Sequence, residues 1–143
     1  MTKEQFNFIE SVSKHWFIRV LFEPNVRDFI ACQFALESNF GTSRYAKVMH
    51  NYSGMKKPFK RLHYGANELN NKTEFQNYAS FDFCVFDYIA WFFYTRPRQN
   101  CWYDLDAFKI HLENVGYCPE KGYINKINLI YLQLKSYKNG ERD

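Results

Sequence analysis

Apolar residues recur at helical spacing along most of the chain. The first stripe predicts an amphipathic helix that Pro24 ends. Its positions are Phe6, Ile9, Val12 or Ser13, Trp16 and Val20. The next segment, Val26 to about Ser38, is apolar on nearly every side, and Asn25 is its predicted cap. A helix that is apolar nearly all round is typical of the centre of a domain.

Capping residues predict the remaining helices. They are a short helix from Thr42 or Ser43 to about His50, one from Phe81 to Thr95 capped by Ser80, one from Asp104 to Gly116, and a last one that Pro119 opens. Glycine, proline and asparagine punctuate residues 51–80, and two short runs there, Phe59 to Tyr64 and Lys72 to Tyr78, favour a small irregular β-hairpin. The predicted fold class is therefore α+β, mainly α, in a single domain over residues 1–143.

Composition narrows the classes of function. A net charge of +4 over 143 residues is too low for a dedicated nucleic-acid binder, and no apolar run approaches the ~18 residues of a membrane span. The histidines and the four cysteines show no metal-ligand spacing, and no nucleotide-binding fingerprint occurs. We therefore predict no metal, no cofactor, no membrane insertion and no nucleic-acid partner, with the cysteines reduced and structural. Aromatic residues reach 20%, which fits either a ring-packed core or a cleft that stacks on sugars.

Glu37 is the residue whose setting suggests chemistry. It lies near the C-terminal end of the most apolar helix, on the same face as Ile30 and Phe34. Loss of hydration there raises the pKa of a carboxyl, and the helix dipole at that end also disfavours an anion. A carboxyl that stays protonated near neutral pH can act as the general acid of a glycosidase.

Four segments in order resemble the motifs of glycoside hydrolase family 73, the glucosaminidase family. They are the run from Gln33 to Ser43, which contains Leu36-Glu37-Ser38, the run Asn51 to Lys56, the run Tyr78 to Phe81 followed by Asp87-Tyr88, and the run Leu112 to Tyr123 with its Gly116-Tyr117 pair. The matches cover most of the chain.

This resemblance implies a lysozyme-like fold with a small hairpin lobe. It also implies an endo-β-N-acetylglucosaminidase that cleaves the β-1,4 bond after N-acetylglucosamine in peptidoglycan. Glu37 carries over as the proton donor, Asn51 and Tyr52 as cleft wall, and Tyr117 and Tyr123 as aromatic residues near the donor sugar. Peptidoglycan glycan strands are the implied partner, and a monomer is favoured.

The chain departs from the family pattern at the second carboxylate, which the family often places on its hairpin. Glu68 and Glu74 are the glutamates between residues 51 and 80, and Glu68 is favoured as the second catalytic residue because it falls near the predicted turn. Without such a residue, the N-acetyl group of the sugar could act as nucleophile.

Two other functions remain open at this point: a muramidase or lytic transglycosylase on the same fold, and a non-catalytic wall-binding or virion structural module. Residues 1–14 contain no stretch resembling a secretory signal. We therefore expect a protein that is cytoplasmic at synthesis and acts on the cell wall, such as a phage lysis enzyme or a virion-associated hydrolase.

Overall fold

The computed structural model describes residues 1–58, 61–66 and 73–140. This part of the chain is mainly helical, as predicted. Its α-helices are α1 (Lys3–Ser13), α2 (Trp16–Leu21), α3 (Pro24–Ser38), α4 (Arg44–Met49), α5 (Phe81–Tyr94), α6 (Leu105–Val115) and α7 (Tyr123–Lys138). A 3-10 helix, Gln99–Trp102, which the apolar pattern did not predict, joins α5 to α6.

Helix α3 is the central helix, and its prediction is confirmed. Phe29, Ile30 and Phe34 are fully buried, and α3 packs against α1, α2, α6 and α7. Its start differs from the prediction, because Glu23 and not Asn25 caps it. The Glu23 carboxylate accepts a hydrogen bond from the Asn25 backbone N–H at 3.1 Å, and Pro24 occupies the first turn, where its missing N–H costs nothing.

The single helix predicted before Pro24 is wrong. The chain breaks at Lys14 and His15, and His15 caps α2 by accepting from the backbone N–H of Phe17 at 3.2 Å. The other ring nitrogen of His15 contacts Asp82 at 2.7 Å. Because of this break the apolar stripe does not continue into the core, and Trp16 and Val20 are exposed.

Most of the other predicted helix boundaries are confirmed. Ser43, Ser80 and Asp104 cap α4, α5 and α6 through their side chains. Gly116 ends α6 in the left-handed conformation, at φ 67°, which glycine adopts without steric cost. The last helix was placed too early, since α7 begins at Tyr123 and not at Pro119.

The predicted hairpin takes a different form. In the described ranges the β-pairing consists of one antiparallel bridge, between Lys56 and Phe75. Backbone bonds on either side join Lys57 to Glu74 and Gln76 to Met55, each at 2.9 Å. In the described residues the returning segment therefore pairs with residues 55–57. Phe59 and residue 60 of the first predicted run, and Lys72 of the second, lie outside the described residues.

The four cysteines are free: Cys32, Cys84 and Cys101 are buried, and Cys118 is half-buried. Among the helices of the described ranges, none combines the length and the hydropathy that crossing a membrane requires.

Candidate active site

Helix α3 delivers Glu37 to the site from its last turn. The helix ends because Asn39 adopts a left-handed conformation, at φ 47°. Ser38 holds the turn that follows, since its hydroxyl donates to the Phe34 carbonyl at 2.7 Å and accepts from the Gly41 N–H at 2.8 Å. Glu37 is thereby held at the end of the buried, apolar helix α3, and its own side chain is half-buried.

The Glu37 carboxyl has one hydrogen-bonding side chain in the described part of the molecule. The Tyr123 hydroxyl donates to Oε1 at 2.6 Å. Burial raises the pKa of Glu37, the bond from Tyr123 opposes this shift, and the negative charge of Glu120 adds to it. Burial also raises the pKa of Tyr123, so its phenol remains a donor at neutral pH. The result is a carboxyl biased towards its protonated form.

A glycine lets the opposite loop approach Glu37 closely. A Cβ atom on Gly54 would lie 2.3 Å from Glu37 Oε2, and Gly54 has a φ of 72°. Both the close approach and the positive φ require glycine at this position. Oε2 is therefore the carboxyl oxygen next to Gly54, and Gly54 itself lines a groove of the protein.

The structure places Asn51 in a positioning role and not on the wall of the cleft. Its side chain is almost fully buried. Its amide nitrogen donates to the carbonyls of Met55 and Gln76 at 2.9 and 2.8 Å, and its oxygen accepts from the Gly54 N–H at 2.9 Å. Because every polar atom of this amide is used inside the loop, Asn51 shapes the turn that brings Gly54 to Glu37.

Tyr52 also faces the interior. Its ring stacks on Phe8, with 6.1 Å between the ring centroids, and meets Phe81 edge-on at 5.1 Å. These contacts anchor the loop to α1 and α5.

Tyr117 and Tyr123 come together beside Glu37. Their rings stack with 6.0 Å between centroids and an angle of 12°. The Tyr117 hydroxyl donates to the Ser53 carbonyl, and its ring meets Trp91 edge-on at 4.8 Å. The pair thus joins the segment before α7 to the 51–55 loop across Glu37.

The groove beside Gly54 has a volume of about 650 Å³. Rings and cations line it, among them Lys56, Arg61, Trp91, Tyr94 and Tyr117. Exposed aromatic faces can stack on sugar rings, and cations can attract the carboxylates of an anionic polymer. Trp91 and Tyr94 were not predicted as site residues, although their spacing of three on one helix was a usable signal.

A second carboxylate, the fully buried Asp87 on α5, binds Arg61, which lines this groove. The Arg61 guanidinium binds both of its oxygens, at 2.7 and 3.0 Å. The Tyr64 backbone N–H donates to it at 3.1 Å, and the Tyr78 hydroxyl donates as well. This cluster, which sequence reasoning missed, pins residues 61–64 to α5.

The predicted hairpin carboxylates do not meet Glu37 in the described residues. Glu68 lies outside the described ranges. The Glu74 side chain is 65% exposed and lies 3.6 Å from the Lys56 ammonium, at the edge of the groove. In the described ranges, no cluster of three or more histidine, cysteine, aspartate or glutamate side chains could hold a metal ion.

The model of the glucosaminidase family, described as mannosyl-glycoprotein endo-β-N-acetylglucosaminidase, matches residues 24–136, from α3 into α7. No curated protein matches the chain. A solved structure of a type VI secretion system effector–immunity complex from Pseudomonas protegens contains a similar chain, with a TM-score of 0.65, 18% identity and 94% of each chain covered. At that identity the likeness concerns the fold.

Proposed function

Because the chain belongs to the glucosaminidase family, we propose that it hydrolyses the β-1,4 bond after N-acetylglucosamine in bacterial peptidoglycan, with Glu37 as general acid. The observation that carries this proposal is the setting of the Glu37 carboxyl. One oxygen accepts from Tyr123, the other lies next to Gly54, a residue that lines the groove, and burial raises the pKa of the group. This setting suits a proton donor and serves no evident purpose in a wall-binding module.

The chemical step follows from the two oxygens. Because Tyr123 donates to Oε1, the transferable proton belongs on Oε2, next to Gly54. A glycosidic oxygen in the groove takes this proton as its bond to the anomeric carbon breaks. Water then supplies the new hydroxyl at that carbon, and its proton passes to the carboxylate or to a second base.

The group opposite Glu37 is the second part of the proposal. The developing positive charge on the sugar requires either a carboxylate or the acetamido group of the substrate. We keep Glu68 as the protein candidate, because Glu74 is exposed and contacts Lys56. The acetamido group of the substrate is the alternative, and substitution of the hairpin glutamates distinguishes these two mechanisms.

The rings of the groove supply the binding side of the proposal. Trp91, Tyr94 and Tyr117 line one continuous groove, and pyranose rings stack on such faces. Lys56 in the same groove suits the carboxylates of lactyl groups and stem peptides.

Product analysis tests the proposed bond. Purified peptidoglycan is digested, the new reducing ends are reduced with borohydride, and the fragments are identified by mass spectrometry. Reduced glucosamine ends are expected. Reduced muramic acid alone would make the protein a muramidase, anhydro ends would make it a transglycosylase, and an undigested wall would contradict a catalytic function.

The setting in which the enzyme works is a separate proposal. A phage lysis or virion-associated role remains our first expectation. The similar solved structure, an effector–immunity complex, supports a secreted effector with an immunity partner as the second. Both settings require the wall as target. Expression directed to the periplasm of a Gram-negative host should therefore lyse the cells, expression in the cytoplasm should not, and Glu37→Gln should remove the difference.

A further inference from the structure

Two fully buried polar side chains lie behind Glu37 and have no role in the mechanism above. Gln33 is on α3, one turn before Glu37, and Tyr88 is on α5, and both are fully buried. Burial of polar groups is costly unless they are hydrogen-bonded. Where their hydrogen bonds go is therefore informative.

The two residues form a chain of hydrogen bonds that ends on Glu37. The Tyr88 hydroxyl donates to Gln33 Oε1 at 2.6 Å. Gln33 Nε2 donates to the Tyr123 hydroxyl oxygen at 3.1 Å. The Tyr123 hydroxyl in turn donates to Glu37 Oε1 at 2.6 Å. We call this series the Tyr88 relay.

The Tyr88 end of the relay determines which group donates and which accepts in each of its hydrogen bonds. Within residues 1–58, 61–66 and 73–140, Gln33 Oε1 is the one acceptor that the Tyr88 hydroxyl contacts, so the amide oxygen must face Tyr88. The amide nitrogen then faces Tyr123 and can only donate to it. Since a hydroxyl has a single hydrogen, that of Tyr123 is left to point at Glu37.

We propose that Tyr88 and Gln33 are positioning residues that hold the Tyr123 hydroxyl as a donor to Glu37 Oε1 and so confine the acidic proton to Oε2, the oxygen next to Gly54. This inference rests on the proposed role of Glu37 as general acid. Neither residue touches the substrate, and both act through Tyr123.

Without the Tyr88 hydroxyl, the orientation of the Gln33 amide, and with it the direction of the hydrogen bonds in the relay, should no longer be determined. In Tyr88→Phe the amide of Gln33 can turn over and offer its oxygen to Tyr123. The Tyr123 hydroxyl is then divided between Gln33 and Glu37, and Glu37 loses part of a bond that stabilises its charged form. Its pKa rises, while its proton is no longer confined to Oε2, the oxygen next to Gly54.

Two readouts of Tyr88→Phe should therefore move in opposite senses. The plateau value of kcat at low pH should fall by roughly 3- to 10-fold, because the proton is misplaced. The alkaline limb of the kcat profile, which reports the pKa of the acid, should move up by about half to one pH unit. General damage to the fold would lower kcat without moving the limb upwards.

A second substitution should reverse the shift. Methionine at position 33 fills the space and offers only a weakly accepting sulfur, so in Tyr88→Phe/Gln33→Met the Tyr123 hydroxyl again donates to Glu37. The alkaline limb should return to its wild-type position. This double variant also removes both buried polar partners, which is tolerated better than removing one, and it keeps the test usable if Tyr88→Phe is poorly folded.

The control is Tyr131→Phe. Tyr131 is a buried tyrosine of α7 whose hydroxyl donates to Asn25, outside the site. This substitution should leave both the low-pH plateau of kcat and the alkaline limb of its pH profile unchanged.

A direct titration separates this inference from the proposed function. The side-chain carboxyl of Glu37 is labelled with carbon-13 and titrated by NMR in each variant. The titratable groups that face it are Tyr123, Tyr117 and Glu120, and none of these is altered. A rise of the Glu37 pKa in Tyr88→Phe and its return in the double variant support the relay even if Glu37→Gln proves active. An unchanged pKa in Tyr88→Phe, or a further rise in the double variant, overturns it.

Discussion

Two carboxyl groups each contact a residue that lines the groove, Glu37 on α3 through Gly54 and Asp87 on α5 through Arg61, and their surroundings differ. Asp87 is fully buried and receives two bonds from the Arg61 guanidinium, one from a backbone N–H and one from a tyrosine. Glu37 receives one bond, from Tyr123, and lies near the negative charge of Glu120. Burial with a matching cation makes a carboxylate structural, whereas burial without one leaves a carboxyl able to give up a proton.

Substitution of Glu37 should have the largest effect on activity. Glu37→Gln keeps the size and the bond from Tyr123 but removes the transferable proton. Turnover of peptidoglycan should fall by roughly two to four orders of magnitude, with an unchanged circular dichroism spectrum. Glu4→Gln, an exposed glutamate of α1, is the matched control. Near-native turnover of Glu37→Gln would exclude Glu37 from the mechanism.

Substitution of Asp87 should instead act on stability. Asp87→Asn leaves the guanidinium of Arg61, whose side chain is 6% exposed, without its counter-charge. Removing one partner of a buried pair costs about 3–5 kcal/mol, to be measured as the free energy of unfolding in denaturant. Asp106→Asn, on the exposed face of α6, should cost far less. Equal stability of Asp87→Asn and Asp106→Asn would contradict a structural role for Asp87, and the contrast with Glu37 would be lost.

The hairpin glutamates test whether a third carboxylate completes the site. Glu68→Gln should lower turnover at least ~10-fold if Glu68 faces the developing charge on the sugar, and Glu74→Gln should change little. Full turnover in both single variants and in the double variant would show that the hairpin supplies no catalytic carboxylate. A thiazoline analogue of N-acetylglucosamine should then inhibit the enzyme.

Glu120 should give the smallest effect. Its negative charge raises the pKa of Glu37, so Glu120→Gln should lower that pKa. Because the acid acts only when protonated, the alkaline limb of the activity profile should move to lower pH, by roughly a few tenths of a unit, and less at high salt. Glu113→Gln, a nearby exposed acid that lines the same small cavity as Glu120, is the control. A shift of the limb to higher pH would contradict the assigned sign.

The sequence predicted those helices whose limits depend on local chemistry. Ser80, Asp104 and Gly116 act through neighbours a few residues away, so their roles could be read from the chain. The break at His15 could not, because it is supported by Asp82, 67 residues later. The start of α7 was misplaced because Pro119 precedes a turn that ends at Gly122, in the left-handed conformation.

The same distinction applies to the site. The position of Glu37 at the end of an apolar helix follows from local spacing. The partners of Glu37 do not, since Tyr123 lies 86 residues away, and Gln33 and Tyr88 are 55 residues apart. Asn51 was assigned to the cleft by resemblance, but its role depends on Gln76, 25 residues later, which turns its amide inwards.

The different burial of the four cysteines makes Cys118 a site for selective labelling. Three cysteines are buried, and Cys118 is half-buried in the segment between Tyr117 and Tyr123. Thiol reagents react with accessible sulfur first, so a maleimide dye should attach there selectively in the unmodified sequence. A fluorophore so placed would sit next to the stacked tyrosines and report glycan occupancy as a change in emission, without any engineered residue.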